Sequence, residues 1–517
     1  MNQILSTLIL FLIGGGMVLI ITQKRLIATK LLISIGKIIL ASEVFAVIGL
    51  LIVFYNNGQN QPYYLSEYIR FDTLSLAMFL MVSFIGYIVL KFSQAYLHGD
   101  PNYNTFIKKL FLTISLVQLL MLSGNLFYLL GFWIATSLSL QRLILFYKDR
   151  KGARDAVKKK NVVARISDFF LLLAVLLLFL EFNTANLETL FVELKTLAFG
   201  QLSLNLELSA LFIGLAAIIK SVQIPFHGWV LEVMEAPTPV SGLLHAGLLN
   251  AGPFLIIRFA YLIELSRFTP ALLLIIGGIS AIYGTLVFPS QTSIKKSLAY
   301  SSIGHMGFSL MLCGLGIYSA ALLHLIAHSF YKAHSFLSAG SVIDKYRLKL
   351  LDGDKAESLS NVRLISGGLI TVAIFIGLTF LMRQMEVERF QIVILTALII
   401  TGFSSFIIKS ATIKNGFGNI LKSVLAFGIV IISFFIFESL FHELFQGVIP
   451  ASTEPGLIIK SISIALVLFF GIVVYLSLSE DSSVVSKWQV YRRNGFYIHM
   501  MFDRFLNSLL RDKILTK

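Results

Sequence analysis

Cysteine is almost absent, with Cys313 the only one in 517 residues. A disulfide within the chain and a cysteine-built metal site are therefore both excluded. Charge is also scarce, at 13% of residues against 57% hydrophobic, with a mean hydropathy of +0.85. That composition lies far outside the range of soluble domains, so the solvent has to be a lipid bilayer. Proline is sparse too, with ten in all and none between Pro289 and Pro450. Proline-induced helix breaks are thereby excluded from most of the later half, whereas Pro225, Pro237 and Pro239 crowd into one stretch. No nucleotide, flavin, haem or quinone motif is visible, and no cofactor is expected in this chain. The largest internal loop, Asp344 to Arg363, is too short for a soluble domain. The first apolar run, with Gly14 to Gly16, lacks a basic leader and a small-residue cleavage site, so it reads as a retained span.

What the chain does have is apolar runs of about 20 residues, the length a spanning helix needs. Their recurrence to about residue 478 predicts an all-α polytopic membrane protein of about fifteen spans. The net charge of +15 is not a nucleic-acid signature here, because the basic residues fall in alternate loops, as the positive-inside rule requires. Examples are Lys24, Arg25 and Lys30, then Lys148 to Lys160, then Lys295 and Lys296, and finally Arg492 and Arg493. The alternation puts the N-terminus outside, Glu181, Glu188 and Glu193 outside, and the tail inside. Four regions follow: N-terminal spans over 1–69, a core over 70–345, further spans over 346–478, and a tail over 479–517. The tail mixes aromatic and basic residues, which suits an amphipathic helix lying at the interface or docking a partner.

Lys220 to Gly252 reads KSVQIPFHGWVLEVMEAPTPVSGLLHAGLLNAG. Lys220 ends an apolar run and is followed by Gln223 and Pro225, a combination that favours a wet cavity and a proton relay over a snorkelling lysine. His245 lies in the next span, and a histidine can pass protons through either ring nitrogen. His227, Glu232 and Glu235 lie in the broken segment, as a proton entrance or a partner contact. His324, His328 and Lys332 are spaced i, i+4, i+8 and so form one polar stripe down a helix. Two histidines at that spacing can bind zinc, but there is no HExxH and no third ligand nearby, so a hydrated proton wire is the preferred reading. His305 can join that axis, while Lys295 and Lys296 read as an inside anchor.

The stretches KSVQIPFHGWVLEVMEAPTPVSGLLHAG, TSIKKSLAYSSIGHMGF and HLIAHSFYKAHSFLSAGS resemble the antiporter-like subunits of respiratory complex I and of Mrp-type cation/proton antiporters. The resemblance covers roughly residues 70 to 345. It implies two inverted five-helix repeats, Lys220 as a channel lysine, and His245, His324, His328 and Lys332 on a central axis. Two departures stand out. The family places a glutamate after a tryptophan in the fifth helix, where this chain has Ile134 after Trp133. It also breaks a helix in its second repeat, where this chain has an unbroken apolar run at about 363 to 382 and no counterpart lysine. Arg165 and Asp168 fit the family pattern and are candidates to replace the lost carboxylate. The details PFHGW, HAGLLNAGPFLIIRFA and the tail are most similar to the membrane subunits of inorganic carbon pumps. That likeness implies a bacterial inner-membrane protein conducting protons or sodium ions, with a DabA-like cytoplasmic zinc subunit as its partner. His227, Glu232, Arg492 and Arg493 are candidate contacts for that partner. The rivals are a pumping subunit of an NADH:quinone oxidoreductase or Mrp antiporter, and a membrane anchor with a decayed ion path.

Overall fold

The computed structural model describes residues 2–22, 29–56, 63–341, 376–377, 390–410, 416–451, 453–478 and 482–511. The Asp344 to Arg363 loop and nearly all of the expected span at 363 to 382 lie outside these residues. In a bilayer the backbone polar groups have no water to bond, so the apolar runs close their hydrogen bonds internally as helices. In chain order these are α1 (Asn2–Thr22), α2 (Thr29–Asn56), α3 (Thr73–Tyr96), α4 (Tyr103–Met121), α5 (Leu126–Ile144), α6 (Lys151–Phe182), α7 (Leu187–Thr196) and α8 (Leu204–Lys220). There follow α9 (Gly228–Glu232), α10 (Thr238–Ala246), α11 (Ala251–Arg258), α12 (Ala260–Leu265), α13 (Thr269–Val287), α14 (Ile294–Gly314) and α15 (Tyr318–Leu337). The last are α16 (Phe390–Ser410), α17 (Gly416–Leu444), α18 (Leu457–Leu478), α19 (Ser482–Arg493) and α20 (Ile498–Arg511). A hairpin of β1 (Tyr63–Ser66) and β2 (Ile69–Phe71) leads into α3. Among the described residues nine helical segments are long and apolar enough to cross a bilayer, and the chain is a multi-pass membrane protein. Outside that set, α8 has 17 residues, and α14 and α15 carry lysine and histidine along their lengths.

Short polar residues set the helix starts. Asp72 caps α3 by accepting from Ser75 N at 2.7 Å, and Asn125 caps α5 by accepting from Phe127 N at 2.9 Å. α13 and α14 pack backbone to backbone because glycines face each other. A Cβ on Gly284 would come within 2.5 Å of the Gly304 backbone.

The break after α8 holds Pro225 and Pro237, with Pro239 in the first turn of α10, where the proline crowding predicts it. A second interruption was not legible. The apolar run at 240 to 263 reads as one span, but it folds as α10, a tight turn over Leu248–Asn250, α11 and α12. The tail folds back onto its own chain: Tyr283 Oη donates to Gly495 O at 3.0 Å, and Phe502 packs against Phe226 at 5.2 Å between ring centres. This inner face of α20 explains its amphipathic pattern, while Met501 remains 71% exposed.

Candidate functional site

Three elements bring charge to one place. α8 ends on Lys220, whose Nζ donates to Trp133 O at 3.2 Å and lies 4.3 Å from the centre of the Trp133 ring. α6 contributes Lys160, only 4% exposed, which donates to Ser137 O and to Ser137 Oγ at 3.0 Å. The same helix supplies Asp168, paired with Arg165 Nη2 at 2.8 Å and acted on electrostatically by both lysines. Lys160 and Lys220 line one cavity of about 30 Å³ with Ser137, Thr136, Ser167 and Trp229. That is room for about two waters, each needing polar partners of the kind present here. Ile134, which follows Trp133, packs against the apolar core and is absent from that lining. The cluster therefore holds three cations and one carboxylate, and the carboxylate comes from α6.

A second group runs along α14 and α15. His305 Nδ1 lies 3.3 Å from His324 Nε2, and the His305 ring is 4.7 Å from that of His328. Lys332, fully buried, donates to Leu298 O at 3.1 Å. His245 stacks on Phe336 at 4.4 Å and feels the Lys332 charge. Among the described residues, neither ring nitrogen of His245 or of His328 has a hydrogen-bond partner. Asn250 sits beside them, donating to Ser329 Oγ at 2.7 Å. Among the described residues a cavity of about 520 Å³ borders His305, His324 and Ser301, with α16, α17 and α18 on its far side. No group of three or more His, Cys, Asp or Glu side chains among the described residues is arranged to hold a metal ion.

The remaining candidates lie elsewhere. Glu235 is exposed, with its carboxylate over Gly152, and its backbone O accepts from Arg150 at 2.7 Å. Glu232 and the tail's Asp503 share Lys159, the latter at 2.9 Å. His227 is fully buried, with Nε2 3.1 Å from Tyr283 Oη and the His499 ring 6.2 Å away. Burial, reinforced by His499, pulls His227 down to about 3, so it is neutral at physiological pH. Buried in this way, His227 offers no surface to a second protein. Arg492 donates to Leu286 O at 3.1 Å, and Arg493 is exposed. In the sequence Lys160 reads only as part of a basic loop. Its signal is its spacing, eight residues and just over two turns before Asp168 on one helix face.

Comparison with known proteins adds three findings. The family model of the NADH:quinone oxidoreductase/Mrp antiporter transmembrane region matches residues 123–383, and that of the N-terminus of complex I chain 5 matches 61–107. A probable inorganic carbon transporter subunit DabB of Hydrogenovibrio crunogenus is 38% identical over 61% of this chain and 60% of its own length. That share is below two thirds of the relative, whereas a probable DabB of Bacillus anthracis is 31% identical over 85% of this chain and 84% of its own length. Among solved structures, a chain of the Mrp complex from Dietzia sp. superposes with a TM-score of 0.65 at 18% identity, covering 99% of this chain and 60% of that one. That likeness establishes the fold.

Proposed function

Since the chain belongs to the NADH:quinone oxidoreductase/Mrp antiporter family, and within it to the DabB-type subunits, we propose that it conducts protons for an energy-coupled complex accumulating inorganic carbon. The observation that carries this reading is a cavity of water size lined by Lys160 and Lys220, with Asp168 acting on both lysines, inside an apolar bundle. Ionisable groups are costly at that depth and persist where they serve an ion path. Lys220 is the switch, Asp168 its counter-charge, and His245, His305, His324, His328 and Lys332 the axis along which the proton passes. The relay needs groups that both accept and donate, and the unpartnered imidazole nitrogens of His245 and His328 supply them.

In this reading the chain sits in a bacterial inner membrane, with the N-terminus outside and the tail cytoplasmic. A DabA-like zinc subunit on the cytoplasmic face carries the carbonic-anhydrase-like chemistry, and this chain is a transporter subunit with no catalytic site. The test is Lys220→Ala in cells that depend on the complex for growth in air. Loss of carbon uptake at normal expression supports the assignment. Normal uptake favours the anchor reading, for which Ile134 in place of the family's glutamate is the supporting observation.

A further inference from the structure

Glu43 lies apart from both groups described above. It is near the middle of α2 (Thr29–Asn56), and it is fully buried. Its partners are neutral: Gln118 Nε2 donates to Oε2 at 2.6 Å, Ser83 Oγ donates to the same oxygen at 3.2 Å, and Gln118 Nε2 also lies 2.8 Å from Ser83 Oγ. Glu43 Oε1 and Gln118 Oε1 have no hydrogen-bond partner among the described residues. On the other face of α2, Phe45 is 75% and Ile38 65% exposed, so the carboxyl is one helix thickness from lipid.

A bare carboxylate at that depth costs several kcal/mol, and two neutral donors on one oxygen do not offset it. A hard metal cation gathers about six oxygens, more than Glu43, Ser83 and Gln118 offer. A proton needs one acceptor. We propose that Glu43 is a proton-binding site in the N-terminal layer, loaded and unloaded between Gln118 and Ser83. Both partners suit the two states, because a hydroxyl and an amide can each donate to the carboxylate and accept from the acid. Gln118 sits on α4, whose Val117 and Leu120 line the Lys220 cavity, so one turn of that helix borders both places. The expected effect on transport rests on the conduction proposed above; the protonation of Glu43 does not.

Membranes holding the full chain with its partner subunit can be treated with dicyclohexylcarbodiimide, which adds to protonated carboxyl groups in apolar surroundings. Mass spectrometry of the Glu43 peptide should show modification at neutral pH that declines as pH rises and is indifferent to sodium chloride. An unmodified Glu43 at every pH, or protection by sodium, overturns the proposal. Glu43→Gln keeps the hydrogen bonds and cannot release a proton, so proton uptake by the vesicles should drop at least about tenfold, with Glu43→Asp recovering part of it. Parental uptake by Glu43→Gln would mean that the side chain is only structural. Lys220→Ala separates the two ideas, since normal uptake there removes the conduction reading while the labelling of Glu43 stands.

Discussion

Two charge clusters in this protein are built on opposite plans. At the start of α3, Arg70 pairs with Asp72 at 2.6 Å and Glu188 at 2.9 Å, while Arg258 binds Asp72 and reaches Ser75 Oγ at 2.5 Å. Two cations meet two anions. Burial alone would raise Asp72, but Arg258 and Arg70 hold it well below the usual carboxylate range. That cluster ties β2 and α3 to α11, and a proton has no place in it. Around Lys220 the count is Lys160, Lys220 and Arg165 against Asp168 alone, and water-sized space borders the two lysines. A balanced cluster fixes position. An unbalanced one leaves like charges facing each other, a repulsion that losing one proton relieves.

That contrast can be broken most severely at Asp168. Asp168→Asn leaves three cations without a counter-charge, and we expect proton uptake to fall about a hundredfold. Adding Lys160→Met to that variant should recover part of the loss, because it restores a lower charge count in the same cavity. A double variant no better than the single would show that the two side chains act independently.

Asp72→Asn acts on the balanced cluster and should show up as stability. Removing one partner of a buried pair costs about 3–5 kcal/mol because it strands the other charges. Accumulation and thermal resistance of the purified protein should both fall, and any protein that does fold should conduct normally. Lys160→Met alone is milder, with uptake reduced about tenfold at unchanged stability, since its loss relieves like-charge crowding.

How much of this could be read from residues alone follows the same division. The helical class, the multi-pass character, the break near Pro225 and the choice of Lys220 came from apolar length, proline crowding and an ionisable residue ending an apolar run. Those signals are local, and the first two govern the backbone directly. The pairing of Lys160 with Lys220 was not legible, because it depends on how α6 packs against α8 some sixty residues later. Glu43 escaped for a related reason: a lone acid in an apolar helix is seen to matter only when Ser83 and Gln118 are brought to it. The interruption at Leu248–Asn250 carries only Gly247, Gly252 and Pro253 as signs, and glycine and proline are both tolerated in membrane helices.

The smallest expected effect concerns the tail, where α20 covers His227. With the tail docked, burial and the neighbouring His499 keep His227 neutral, with a value of about 3. Undocked, it should titrate near 6.5. The undocked state then binds more protons, so docking is strongest above that value and weakens as pH falls towards 3. His499 has the same sign: burial lowers it, Lys159 and Lys296 reinforce the effect, and Asp503 opposes it. Glu232, raised by burial, works the other way, but it is more exposed and more screened. From pH 7.5 to 5.5 the net loss should be about 1 kcal/mol, a roughly fivefold rise in protease cleavage within residues 482–511. His227→Gln keeps a bond to Tyr283 and cannot take the charge, so the pH dependence of its cleavage should shrink to the smaller part that His499 contributes. If cleavage rises as steeply as in the parent, the sensitivity lies in the tail itself and His227 is a packing residue like the tyrosines around it.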